Sequence, residues 1–152
     1  MALSHQPVLT MASNQPTATL THILDAWYDA RTFKGVLVGP DWTPNRKASN
    51  FRSSLTAHEV TGTNWPAGGI DISFVVSESA DTYQSIVTLQ AVTVANVTTE
   101  DPARYFVAYQ VAGSAATDRI IRWHDFKSNV IFTNQPFEFS ASDVTLTIGM
   151  DR

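Results

Sequence analysis

The side chains best suited to chemistry fall in a few short stretches. His58 and Glu59 open like the zinc-protease pattern H-E-x-x-H, in which two histidines one helical turn apart hold the metal and the glutamate serves as base. The position that needs the second histidine is Gly62, so the zinc reading fails and His58 reads as a surface histidine at a helix end. His124 and Asp125, in "WHDF" (123–126), are adjacent and titratable. Neighbours on a strand point to opposite faces, so these two do not make a pair by themselves. A hydrolase would also need a nucleophile, and Ser114 in "VAGSAAT" lacks the strand–elbow–helix setting of G-x-S-x-G. An enzymatic role survives only through His124 and Asp125. No carboxylate cluster has EF-hand spacing, and no glycine loop carries the P-loop lysine. The expectation is a protein with no catalytic residue, no cofactor and no metal.

"GTNWPAGG" (62–69) raises a different possibility, a glycine loop around a ligand. A phosphate-cradling loop follows a strand and opens a helix, so that backbone N–H groups and the helix dipole meet the anion. Here the order is reversed: a helical pattern precedes and the strand-like "IDISFVV" follows. Trp65 before Pro66 is biased to an extended backbone, and its ring is expected to cover a helix–sheet junction. Gly68 and Gly69 suit positive φ at a tight turn. Trp65, Pro66, Gly68 and Gly69 are therefore expected to form a structural turn.

Composition narrows the class. The chain has 152 residues, enough for one domain with a self-sufficient core. It has no cysteine, which rules out disulfides and thiolate metal sites. A net charge of −4 lacks the basic footprint of a nucleic-acid binder. No apolar run reaches the roughly 20 residues of a membrane span, and the start lacks the basic and apolar regions of a signal peptide. "NVT" (96–98) matches a glycosylation acceptor, but without a secretion signal it reads as a chance match.

The elements that must position these residues come in two parts. Residues 1–20 are polar, are broken by Pro7 and Pro16, and show no apolar period. They are expected to form an extended N-terminal arm held against a neighbouring chain through Val8, Leu9, Met11 and Leu20, with packing on its own domain as the alternative. Residues 21–152 are expected to form a single β-sandwich domain. "LTHILDAWYDA" sets Leu20, Ile23, Leu24 and Trp27 at helical spacing, with Thr21 as N-cap and Asp25 near the positive end. "FKGVLVG" (33–39) reads as a buried strand, and "SNFRSSLTAHEV" (49–60) as a short helix anchored by Phe51 and Leu55. From there the period is two: "IDISFVV", "RYFVAYQV" and "VTLTIG" alternate, the last with Val144, Leu146 and Ile148 inward. "YQSIVTLQAVTVANV" shifts parity near Ala91–Val92, which predicts a bulge or two strands meeting at a bend. The class is mainly β, a β-sandwich or jelly-roll-like domain with one or two short helices.

The ordered motifs "FKGVLVGPDWTP…HEVTGTNWPAGGI…ARYFVAYQV…IIRWHDF" resemble those of a widespread group of small virion proteins of tailed bacteriophages. In that group a strand leads into a Y/W-T-P loop, a helix, an E-V-x-G-x-G-Y-x-A-G-G turn, an A-R-Y-x-V-x-Y strand and a D-F strand end. The matching positions are Trp42, Thr43, Pro44, Glu59, Val60, Gly62, Trp65, Ala67, Gly68, Gly69, Ala103, Arg104, Tyr105, Val107, Tyr109, Asp125 and Phe126. The likeness runs from about Phe33 to the C-terminus and leaves the arm outside. This chain differs in having Asn64 and Trp65 where the group usually has G-Y, and Lys127 where glycine often follows D-F.

The resemblance implies a non-enzymatic particle component, assembled in the cytoplasm of a host bacterium and resident in the virion. Two placements follow. One is a capsid decoration or cement protein that stabilises the shell, with the major capsid protein as partner, a homo-oligomeric and preferentially trimeric state, and no nucleic-acid or membrane partner. The other is a tail, neck or baseplate component, including a receptor- or carbohydrate-binding module that would use Trp42, Trp65 or Trp123.

Overall fold

A computed structural model of the protein describes residues 17–79, 84–141 and 145–148. Val8, Leu9 and Met11, the expected arm anchors, lie outside them. The fold is mainly antiparallel β, as the alternation predicts, and sandwich-like. The central sheet is ordered β2 (Glu59–Val60), β1 (Phe33–Val38), β8 (Ala103–Gln110), β9 (Arg119–Val130), with β4 (Ile70–Ile72) also on β1. A second sheet is β10 (Gln135–Phe139), β7 (Val92–Thr99), β3 (Gly62–Thr63), and a third is β11 (Thr145–Ile148), β6 (Gln84–Leu89), β5 (Phe74–Ser79). Among the described residues the strands fall into sheets of five, three and three.

β1 and β8 are covered on both faces, so β1 is buried almost throughout and β8 is buried continuously over Phe106–Tyr109 rather than alternating in and out. Alternate residues instead choose between two cores. Leu37 and Phe106 face the second sheet and meet Val97, Phe137 and Phe139, whereas Val36, Val38, Val107 and Tyr109 pack with Trp42 and Leu55 on the other side. Full burial of each large apolar side chain stabilises by about 1.5–3 kcal/mol, so this two-sided arrangement is the main favourable contribution.

Three local expectations are corrected. The one α-helix among the described residues, α1 (Thr17–Asp29), begins before Thr21, so Leu20 lies in the helix and not in an extended arm. Thr21 is not its cap. It lies within the helix, and its hydroxyl hydrogen-bonds the buried Ser85 hydroxyl at 2.8 Å, docking α1 on β6. At the other end Arg31 Nη1 donates to Trp27 O (2.8 Å) while its guanidinium lies 4.1 Å over the Trp27 ring. Both contacts suit a cation at a helix C-terminus.

The expected helix over 49–60 is instead two 3-10 turns, Arg52–Ser54 and Thr56–His58. The reason lies in where its N–H groups go. Arg52 N donates to Asp118 O and Ser53 N to Ala115 O, each at 2.8 Å, so the neighbouring loop takes donors a regular helix would use. Finally, "IDISFVV" splits at Ser73: β4 pairs with β1, and β5 leaves for β6 in another sheet. The parity shift predicted near Ala91–Val92 marks a true strand boundary, with β6 and β7 belonging to different sheets. A separate bulge falls where β7 meets β10, between the Val97 and Val94 pairings.

Candidate functional site

The chemical candidates are dispersed. His124 stands opposite Phe106 in the β8–β9 ladder and packs edge-on against Phe126 and Phe139. Asp125 stands opposite Tyr105 on the other face, where its carboxylate accepts from Arg104 Nε (2.6 Å) and Lys127 N (2.7 Å). The two side chains therefore serve different surroundings. Ser114 is engaged in a turn with Thr117, whose Oγ1 lies 3.0 Å from its Oγ. His58 is half-buried at the end of the second 3-10 turn, with Nδ1 2.7 Å from Asp41 Oδ2. Sequence spacing does not suggest Asp41. This pair borders a cleft of about 340 Å³ whose lining, among the described residues, includes Pro40, Glu59, Asp101 and Pro102 but no serine, threonine or cysteine nucleophile. A His–Asp pair without a nucleophile or electrophile beside it has no complete acid–base assembly for acyl transfer.

Both aspartates titrate low. The Lys127 N–H first, and then the Arg104 guanidinium, hold the Asp125 carboxyl below its ordinary 3.8. The hydrogen bond from His58 does the same for Asp41. A carboxylate whose folded pKa lies below its unfolded one contributes stability above the unfolded value, and that stability is lost as pH falls through the folded value. Asp125→Asn is accordingly expected to flatten the fall of the melting temperature below about pH 4. Thermal melts between neutral pH and strong acid check this, and an unchanged acid limb would contradict it.

The glycine stretch is a turn, and its surroundings form a connected polar network. Gly68 (φ 79°) and Gly69 (φ 76°) both have left-handed backbone. Gly69 N donates to Pro66 O at 2.9 Å, closing the turn. Gly68 N donates to Glu59 Oε2 (3.1 Å), and Gly68 O accepts from the Tyr109 hydroxyl (2.7 Å). Glu59 Oε1 in turn accepts from Arg52 Nη1 (2.8 Å), whose Nε donates to Asp118 Oδ2 (3.0 Å), and Asp118 Oδ1 accepts from Ala112 N (2.7 Å). Burial works against the charge on Arg52, but the bonds to Glu59 and Asp118 outweigh it and keep its pKa above the usual arginine value. Burial also pushes the Tyr109 phenol up, with Arg52 opposing. Glu59, Gly68 and Tyr109 are motif positions. Arg52 and Asp118 are not, and nothing in their spacing announces them.

Trp65 does not cover a helix–sheet junction. It is buried in the core between the sheets, edge-on to Phe106 and Phe137. Its Nε1 is buried and has no hydrogen-bond partner among the described residues. Trp42 is also buried, and the half-buried Trp123 meets it edge-on at 6.1 Å. Of the three tryptophans named for ligand binding, Trp123 alone keeps an appreciable open surface.

Two departures from the bacteriophage pattern land on left-handed backbone. Asn64 has φ 62° and Lys127 has φ 66°. Asparagine tolerates this conformation, and Asn64 Nδ2 also donates to Ala95 O and Asn96 O on β7. Lysine gains no such contact, and its ion pair with Asp125 is long (3.5 Å) and exposed. Lys127→Gly is expected to stabilise the domain by about 0.5–1 kcal/mol through relief of this backbone. Denaturant titration checks it, and a lower midpoint would count against a strained Lys127.

Among the described residues, no group of three or more His, Cys, Asp or Glu gathers to hold a metal, and no helix is long and apolar enough to cross a membrane. Comparison of the chain with known protein families, with curated proteins and with solved structures finds no match.

Proposed function

We propose that the chain is a non-enzymatic structural protein of a bacteriophage virion, a capsid decoration or cement protein that stabilises the shell. One observation carries the reading. The motif positions that resemble the virion group serve the architecture: Glu59 and Tyr109 clasp the two backbone polar groups of Gly68. The positions where that group has glycine, Asn64 and Lys127, take left-handed backbone here. Motif residues engaged in turn geometry and cross-bracing fit a rigid fold better than a reacting centre.

In this reading residues 1–16 tether the domain to neighbours on the particle, the major capsid protein foremost, and a homotrimer multiplies weak contacts into firm attachment. Removing residues 1–16 is expected to leave the melting temperature of the free protein within a few degrees while reducing retention on heated or diluted capsids by about tenfold or more. Equal retention of the truncated and full chains would refute the tether. Quantitative mass spectrometry of purified particles tests placement: hundreds of copies fit a shell protein, and a few to tens fit the second reading. That second reading, a tail, neck or baseplate component with a receptor- or carbohydrate-binding role, is favoured by the open surface of Trp123.

A further inference from the structure

We infer that the fork where β5 and β6 part into β4 and β7 is a docking site for residues 7–11 (PVLTM) of a second copy of this chain, taken up as an added strand. The β5–β6 ladder ends with Gln90 N donating to Ser73 O at 2.9 Å. Beyond that bond the two segments separate, one as β4 onto the central sheet and the other as β7 onto the second. Between them lies a cleft of about 430 Å³ whose lining includes Ile70, Asp71, Ile72, Val92, Thr93 and Val94. Ile70, Ile72 and Val94 are partly buried against the core, so its floor is apolar. Its sides are strand edges. Gly39 N, just past β1, donates to His58 O, which turns the backbone groups of odd-numbered β1 residues toward β2 and β4. Phe33 and Gly35 therefore bond Ile72 and Ile70, and the N–H and C=O of Asp71 point away from β1 into the fork. On β7, Val92 and Val94 serve β10, which leaves the backbone groups of Thr93 on the fork side. No strand among the described residues pairs with either edge there. Such edges take up an extended segment through backbone hydrogen bonds.

The sequence supplies a segment that fits. Residues 1–16 contain no Asp, Glu, Lys or Arg. The one charged side chain of the cleft lining, Asp71, is 83% exposed and pairs with Lys34 at 3.5 Å, so the floor asks for no charge. With 7–11 extended, Leu9 and Met11 share one face and cover that floor, while Val8 and Thr10 face away. Pro7 stands at the start of the segment, where a missing N–H is tolerated. Reach selects a neighbour's arm over the chain's own. α1 runs back along the β5–β6 pair: Tyr28 packs on Phe74 beside the fork, whereas Thr21 bonds Ser85 near the far end. Thr17 is thus about 17 Å from Tyr28 along the helix, and Asp71 about 10 Å beyond Phe74. Residues 11–17 span at most about 21 Å, which leaves the chain's own Met11 short of Asp71. The inference rests on the reading of residues 1–16 as a tether and names one partner for it.

Disulfide trapping in the full chain tests it, and the absence of native cysteine keeps the background clean. Thr93→Cys, an exposed change in the fork, is combined in turn with Leu9→Cys and with Met11→Cys, and Ala91→Cys serves as a second exposed fork position. Asp101→Cys, exposed and outside the fork, is the control partner. The expected result is covalent dimers and higher multimers on a non-reducing denaturing gel, formed at least about tenfold faster than with the control. Sedimentation of the cysteine-free chain should show self-association, and Leu9→Asp with Met11→Asp should weaken it by at least about tenfold. A chain that stays monomeric, trapping no faster than the control, a disulfide closed within one chain, or self-association unchanged by the two aspartates would each overturn the inference. The tether reading fails separately, through equal retention of truncated and full chains on capsids. Retention lost without trapping between copies would sink the fork alone.

Discussion

Replacing Gly69 by alanine or valine is expected to destabilise the domain by about 3–5 kcal/mol, whereas Gly68→Ala costs about 1 kcal/mol. The two glycines share nearly the same φ, 79° and 76°, so backbone strain alone does not separate them. Their surroundings do. A Cβ on Gly69 would lie 2.0 Å from Gly35 O and 2.8 Å from Val36 Cγ1, against the centre of β1. A Cβ on Gly68 would meet only the Tyr109 hydroxyl, at 3.8 Å. A backbone carbonyl within a sheet does not move aside as a flexible side-chain tip can, so the overpacking cost adds to the strain. For a chain of this length the Gly69 variants should melt roughly 10 °C or more below the parent. The measurement is a pair of thermal melts on the isolated protein. Gly69→Ala melting like the parent would remove the structural reading of the turn, as would normal folding of both variants with loss of affinity for a small ligand.

Much of the domain is legible in the residues because burial writes a period into them. β1, β8 and the β6–β7 boundary follow directly from apolar patterning and from the parity shift near Ala91–Val92. The turn is legible because adjacent glycines before a strand have few other uses. Features decided by distant partners are not. "IDISFVV" alternates without interruption, and its break at Ser73 comes from a change of sheet, seen in Gln90 N donating to Ser73 O at 2.9 Å. The 3-10 form of 52–58 reflects acceptors in the loop around Ala115–Asp118, and no local propensity encodes that. The residues place the start of α1 too late because Thr21 resembles a cap, although its hydroxyl is committed to Ser85 across the helix–sheet contact.

The candidate site divides in the same way. Glu59, Gly68 and Tyr109 stand out as separate motif positions, but Tyr109 and Gly68 are 41 residues apart and Arg52 and Asp118 are 66 apart. Such pairings exist only once the sheets have formed. Asp41 escapes notice for the same reason, since its partner His58 lies 17 residues away behind a proline-rich loop. Chemistry-bearing residue types are therefore easy to find and easy to misassign, because most of the carboxylates and histidines singled out are bound into the frame.

The second large effect belongs to that frame. Arg52→Ala is expected to destabilise the domain by about 3–5 kcal/mol, because it strands two carboxylates that the fold has largely removed from water. The Asp118 and Glu59 side chains are 5% and 10% exposed, and each takes one hydrogen bond from the same guanidinium. The Arg52 guanidinium also lies 5.1 Å over the Tyr109 ring, and alanine forfeits that cation–π attraction as well. Arg52→Lys keeps the charge but replaces a planar fork with a point donor that does not serve both directions at once, so about 1–3 kcal/mol should still be lost. Glu59→Gln is milder, since an amide oxygen can still accept from Gly68 N or from Arg52. If the carboxylates are the cause, the losses will not add: Arg52→Ala combined with Glu59→Gln should be less damaging than the sum of the two, because the second change neutralises one of the stranded charges. Urea unfolding of the two single variants and the double variant, at neutral pH and constant salt, measures the coupling. Strict additivity, or an Arg52→Ala loss below about 1 kcal/mol, would mean that the turn, the 3-10 segment and the 112–118 loop are held by apolar packing alone.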